Sequence, residues 1–232
     1  MPPHPSARFV PLAFTRFPPG QMLERARAHY QELNRRRSVR QFSPEPVDRE
    51  LIELAIRSAG TAPSGAHRQP WTFVAVADPE VKRQIREAAE EEERRFYRER
   101  ITPEWREALE PLGTDEVKEH ITTAPWLVVL FKHRFEVLPD GRRLKSYYVD
   151  ESVGIAAGLF IGAVHHMGLA TLPHTPSPMG FLSKVLGRPE NETPILLMPI
   201  GYPASDARVP DLQRKPLDVI ARFIPPARDP HS

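Results

Sequence analysis

Three short apolar runs constrain this chain more than any other feature: WTFVAVA at 71–77, WLVVLFK from 126 and PILLMPIGY from 194. Each is rich in aliphatic, β-branched or aromatic residues, the first ending at Asp78-Pro79, and each reads as a strand. Stretches of helical spacing separate them. Strands alternating with an excess of helices predict an α+β or α/β fold.

Seven helices are expected. Met22, Leu23, Ala26, Tyr30 and Leu33 recur at helical spacing and predict one over 21–35. Asp48 as N-cap opens another over 48–59, and Asp78 with Pro79 at the first helical position starts a third through the acidic run EEEERRFYRER at 90–100. Thr102-Pro103-Glu104 repeats that start signal for a short helix through Leu109, and a further helix fits 114–122. The run ESVGIAAGLFIGAVHHMG at 151–168 is small or apolar nearly all round, the pattern of a helix buried on most sides, with Gly168 as its C-cap. A last helix is expected near 178–186, before Gly187. Residues 1–20 read as an extended arm, GTAPSGAHRQPW as a loop, and 203–232 as an extended tail, so that 21–202 form the single domain.

Several function classes lose support at once. With no cysteine there are no disulfides, thiolate metal sites, iron–sulfur clusters or cysteine nucleophiles, and redox chemistry needs a borrowed cofactor. A formal charge of +2, with 26 of 32 basic residues Arg, leaves a weak nucleic-acid footprint. No apolar run reaches the length of a spanning helix, and a soluble, cytoplasmic protein is expected. Phosphate-loop, Rossmann, nucleophile-elbow and zincin motifs are all missing. The nine His are scattered, and the adjacent pair His165-His166 cannot share a helix face, so no metal site is expected.

Three elements carry chemical possibility. RRRSVR sets the guanidinium forks of Arg36, Arg37 and Arg40, with the Ser38 hydroxyl, just past a helix, which suits a phosphate; it equally suits a basic helix end that favours the dipole. APSGAH lets backbone approach a ligand, with the Ser64 hydroxyl and the Ala66 N–H on offer, or is a plain turn. In LPHTP, Thr175 sits in a loop after a short strand.

Taken in order, RRRSVRQF, AGTAPSGAHRQPWTFV, the small-residue helix after YYVDES, and GYP followed by VPDLQRKPLD resemble the nitroreductase-like FMN flavoproteins. The resemblance runs from about Phe9 to Phe223 and is closest to their iodotyrosine deiodinase branch. It implies a three-layer α+β sandwich with a central mixed sheet, built into an intertwined homodimer with FMN at the interface. The tail at 203–232 would then wrap the partner. The resemblance assigns Arg36, Arg37, Ser38, Val39, Arg40 and Arg214 to FMN, with Ser64 reaching it from the other subunit. Backbone contacts from Pro173 and His174 are implied, and Thr175 meets flavin N5; relatives carry a run of hydroxyl residues where this chain has Pro173 and His174.

The same resemblance makes residues near 90–120 a lid over a halotyrosine. Glu93 would take its ammonium, Tyr97 would cover the ring, Lys118 would take the carboxylate, and the Ala66 N–H would take the phenolate oxygen. Glu93 and Tyr97 are spaced i, i+4 and so share a helix face; the other acids of the run read as solvated charge. The implied activity is reductive dehalogenation of halotyrosines by one-electron steps from reduced FMN, with NAD(P)H or a reductase as donor. Two other readings stand beside it: a general nitroreductase or quinone reductase of the same fold, and a nucleic-acid-binding protein using the basic run.

Overall fold

The computed structural model describes residues 8–224, which fall into two compact units divided between Arg36 and Arg37. The ends of the expected arm and tail, 1–7 and 225–232, lie outside the described residues. In the first unit, residues 8–18 have no regular structure, and helix α1 (Pro19–Arg35) starts with Pro at its first position. The Arg25 guanidinium lies 4.4 Å from the Phe17 ring centroid.

The second unit is built on a four-stranded sheet of β1 (Trp71–Val76), β2 (Trp126–His133), β5 (Ala170–Thr171) and β6 (Glu192–Gly201). Its order is β1-β2-β6-β5, and all three pairings are antiparallel. The sheet is therefore antiparallel and not mixed as expected: among the described residues, parallel pairing enters only as the isolated bridge Ser38–Thr171, beside β5. Trp71 faces Lys132 across one ladder and Trp126 faces Ile200 across the other, with a register shift at Leu130/Phe131.

The two-residue period of a strand sends alternate side chains to opposite faces, and both faces are covered. Val128, Leu130, Met198 and Ile200 pack against Ile52, Ala55 and Ala59 of α2 (Arg49–Gly60) and Val153, Ala157, Phe160 and Val164 of α6 (Val149–His166). Leu127, Val129, Phe131 and Leu197 pack the other way. There they meet Ile85 and Ala89 of α3 (Pro79–Arg95), Ile121 of α5 (His120–Thr123) and Leu182 of α7 (Gly180–Val185). This is the expected three-layer sandwich, and each fully buried large apolar side chain contributes roughly 2 kcal/mol.

Local signals act where expected. The Asp48 and Asp78 carboxylates accept from the N–H groups of Glu50 and Val81, and the Thr102 hydroxyl accepts from Trp105 N–H to start α4 (Pro103–Leu109). Elsewhere the structure differs from expectation. The helix expected over 114–122 is only α5: the Asp115 side chain takes the Val117 N–H in a turn, and the Glu90 carboxylate takes the Lys118 N–H. The tail contains a helical turn, α8 (Leu217–Ile220), and a hairpin of β3 (Phe135–Val137) and β4 (Arg143–Lys145) follows β2. Its three-residue strands are mostly exposed and carry too little apolar alternation to be read in advance. On α6 the outer face is open: Ile155 and Leu159 are exposed, and a Cβ added at Gly154, Gly158 or Gly162 would meet nothing. Among the described residues, no helix is long and apolar enough to cross a membrane.

Candidate functional site

The end of α3 creates the site. After Arg95 the helix widens into a π-helical turn, Phe96–Arg100, closed by the Ile101 N–H donating to the Phe96 carbonyl at 2.9 Å. Such widened turns redirect side chains and recur at functional sites. Here the turn begins three residues after Glu93, and Tyr97 projects into the same cavity as Glu93. The Phe96 ring stands edge-on to Tyr97 and to Trp105 of α4, at 5.3 and 4.8 Å between centroids.

That cavity, about 470 Å³, gathers residues far apart in sequence: Arg40, Glu93, Tyr97, Lys118, His174 and Thr175 among them. Glu93 Oε2 lies 3.2 Å from Lys118 Nζ, and both side chains are largely buried. Glu93 Oε1 lies 3.5 Å from His174 Nε2. Burial pushes the Glu93 carboxyl up, but His174 and the Lys118 charge more than offset it, so it sits below its usual range and is ionised at neutral pH. Lys118 Nζ also donates to the Asp115 carbonyl, and the Tyr97 hydroxyl donates to the Thr114 carbonyl at 3.0 Å. One anion and one cation thus face each other beside a phenol, in a pocket with apolar walls from Phe96, Trp105, Leu109 and Leu112.

Arg40 lines the same space. Its guanidinium has no hydrogen bond or ion pair among the described residues, and burial lowers its pKa. A half-buried fork without an acceptor suits an anionic or carbonyl-rich ligand, and this is the observation by which the chain fits FMN. The segment holding Arg40 is fixed at several points. The Val39 N–H donates to the Thr171 carbonyl, the Ser43 N–H to Tyr202 O, and the Ala204 N–H to Gln41 O. Val39 is buried with Phe42, Ala124 and Ala170, Ser38 bridges to Thr171, and Arg37 donates to the Pro210 carbonyl. Arg36 caps the end of α1 in the first unit, and Arg214 is exposed on the tail.

Ser64 and Ala66 do not line this cavity. Their loop closes against the start of α6: the Gly65 N–H donates to Ser152 Oγ, and a Cβ on Gly65 would lie 2.4 Å from the Tyr147 carbonyl oxygen. Only glycine fits there. Ala66 is held at φ 50, ψ 29, in the left-handed region, and its N–H has no partner among the described residues. Ser64 Oγ accepts from the Gln69 N–H at 2.9 Å.

Three participants were not legible as such. Glu90, read as solvated charge, is mostly buried; it pairs with Arg86 at 2.7 Å and accepts the Lys118 N–H at 2.8 Å. The correction has a simple cause: one turn before Glu93, Glu90 faces the chain carrying Lys118 and not solvent. Glu90→Ala should cost about 1–3 kcal/mol locally. Amide hydrogen exchange across 114–119 should accelerate roughly tenfold or more; unchanged protection would show that this bond does not hold the segment. His120 is buried, its pKa pushed down to about 3 chiefly by burial, and its Nε2 has no partner among the described residues. His174, expected to act through its backbone, has both its N–H and its C=O bonded to Leu197 of β6 at 2.9 Å, and turns its imidazole to Glu93. No sequence signal marked His120; for His174 the only signal was an imidazole where hydroxyl residues are usual.

A family model described as Nitroreductase family matches residues 33–202. The chain is 54% identical over 207 residues to the iodotyrosine deiodinase of Haliscomenobacter hydrossis, covering 89% of this chain and 93% of that one. It is 46% identical over 212 residues to the iodotyrosine deiodinase of Danio rerio, covering 91% and 72%. Among solved structures it is similar to oxidized iodotyrosine deiodinase bound to FMN and 3-iodo-L-tyrosine, with TM-score 0.73, 27% identity, and 85% and 99% of the two chains covered. A BluB-like flavoprotein from Clostridium difficile shares the fold, at TM-score 0.64 and 20% identity over 84% and 98%.

Proposed function

The chain belongs to the nitroreductase family, and from that premise we propose that it is an FMN-dependent reductive dehalogenase acting on halotyrosines. The observation that carries the substrate class is the buried pair of Glu93 and Lys118, 3.2 Å apart beside Tyr97. A carboxylate and an ammonium in one pocket are complementary to the ammonium and carboxylate of an amino acid. A reductase of small neutral aromatics has no use for such a pair.

Reduced FMN, when bound, supplies the two electrons one at a time. In balance, an aryl iodide, two electrons and a proton give the arene and iodide. The chain's own residues do the rest. Arg36, Arg37, Ser38, Val39, Arg40 and Arg214 would hold FMN, with backbone at Pro173 and His174, the Thr175 hydroxyl toward flavin N5, and Ser64 from a second copy. The half-buried, partnerless Arg40 supports this. Glu93 would receive the substrate ammonium, Lys118 the carboxylate, and Tyr97 would close over the ring. The unpartnered Ala66 N–H, fixed in its left-handed turn, would receive the phenolate oxygen, a preorganised oxyanion contact. Closure of the segment near 90–120 would exclude water.

The reading includes a homodimer. Ser64 and Ala66 lie outside the cavity that holds the clamp, so a second copy is needed to bring them to one ligand. The open glycine face of α6 with Ile155 and Leu159 is a surface for that copy. NAD(P)H or a reductase as donor, and a cytoplasmic location, complete it. The deciding measurement is tyrosine release from 3-iodotyrosine by the purified yellow protein with dithionite, beside dehalogenation of 2-iodophenol, which has no zwitterion. Strong turnover of iodotyrosine and little of iodophenol is expected; no tyrosine from a reducible flavoprotein would overturn the assignment.

A further inference from the structure

The two oxygens of Glu93 have different partners. Oε2 faces Lys118 Nζ at 3.2 Å, and Oε1 faces His174 Nε2 at 3.5 Å. We propose that His174 is a positioning residue for amino-acid selectivity, holding Glu93 by Oε1 while Oε2 exchanges the Lys118 ammonium for that of the substrate. This rests on the halotyrosine reading and adds to it a residue for which that reading has only backbone contacts.

A zwitterion entering the pocket must separate Glu93 from Lys118, because its own charges need those partners. During that exchange a carboxylate held only by Lys118 would lose its orientation, and a freed surface-directed rotamer would leave the ammonium unpaired. A second donor on the other oxygen removes that freedom, and less rotamer entropy is lost when substrate binds.

His174 is suited to this by its mounting. Its N–H and C=O are both bonded to Leu197, a fully buried residue of β6, so the imidazole stands on the sheet and does not move with the lid. The His120 ring packs edge-on against it, 5.4 Å between centroids at 71°. Burial, the largest influence, keeps His174 below its ordinary pKa, and it is neutral at pH 7. A neutral imidazole facing a carboxylate carries its proton on the facing nitrogen, so Nε2–H is directed at Oε1 across 3.5 Å. The remaining nitrogen, Nδ1, is buried without a partner among the described residues, which fits a tautomer set by Glu93. Because the donor is uncharged, Glu93 keeps its full charge for the ammonium.

Amide side chains of two lengths test this. In His174→Gln the amide nitrogen occupies about the place of Nε2, whereas in His174→Asn it stops short near Nδ1. With the FMN-loaded protein, the readout is kcat/KM for 3-iodotyrosine divided by that for 2-iodophenol, together with Kd for L-tyrosine from the flavin absorbance change. His174→Asn should lower the ratio about tenfold or more, through KM, and weaken tyrosine binding in parallel; His174→Gln should restore most of both. A ratio unchanged in His174→Asn, or lowered equally in both variants, would overturn the proposal. If the unaltered protein does not release tyrosine at all, the functional reading itself fails, which is a different result from loss of this one residue's role.

Discussion

Glu93→Gln should lower kcat/KM for 3-iodotyrosine by about 100-fold or more, and far less for 2-iodophenol. Removing one partner of a buried, hydrogen-bonded charge pair typically costs about 2–5 kcal/mol, much of it from the charge left behind. Here that charge is Lys118, whose side chain is only 3% exposed. Lys118→Met should do the same from the other side, because Glu93 then has only neutral His174 for company and the substrate carboxylate has no cation. Steady-state kinetics on the two substrates separates the effects: parallel loss on both would mean that the pair shapes the pocket without reading the zwitterion.

The second large effect concerns stability. Phe160 is fully buried at the centre of α6, its ring 5.3 Å from that of Phe73 on β1, within the cluster that joins α2, α6 and the sheet. Phe160→Ala should cost about 3–5 kcal/mol, as lost transfer energy plus a cavity that the packed neighbours cannot fill. At roughly 2–4 °C per kcal/mol for a chain of this size, the melting temperature should fall by about 10 °C. Leu159, one residue earlier, is the control, since it is 40% exposed in the single chain. Its truncation should lower the melting temperature far less, and a drop matching that of Phe160→Ala would show that this face is packed as tightly as the core.

The parts legible in the sequence share a property: they are decided within a few residues. Asp48, Asp78 and Thr102 cap helices because a side-chain oxygen and an N–H two or three residues on are always within reach. The strands at 71, 126 and 194 were readable because a buried strand needs a continuous apolar run whatever its partners. The sequence failed where a local preference met a distant partner. The expected helix over 114–122 gave way because the Lys118 N–H bonds to Glu90 of α3. The outer face of α6, expected to be covered, is open among the described residues, because a small-residue pattern permits close packing without naming what packs there.

Sequence alone therefore determined the alternation of strands and helices, their capped starts, the absence of thiol chemistry, and the resemblance that nominated Glu93, Tyr97, Lys118, Ala66 and Thr175. Only the tertiary structure decided that Glu93 and Lys118 are buried against each other, that Glu90 holds the backbone at Lys118, and that His174 reaches Glu93 from the sheet. The reason is physical. Capping and strand patterning follow from bond geometry along the chain, whereas the charge and partner of a buried group depend on which remote atoms exclude water from it, and that is fixed only when both faces of the sheet are packed.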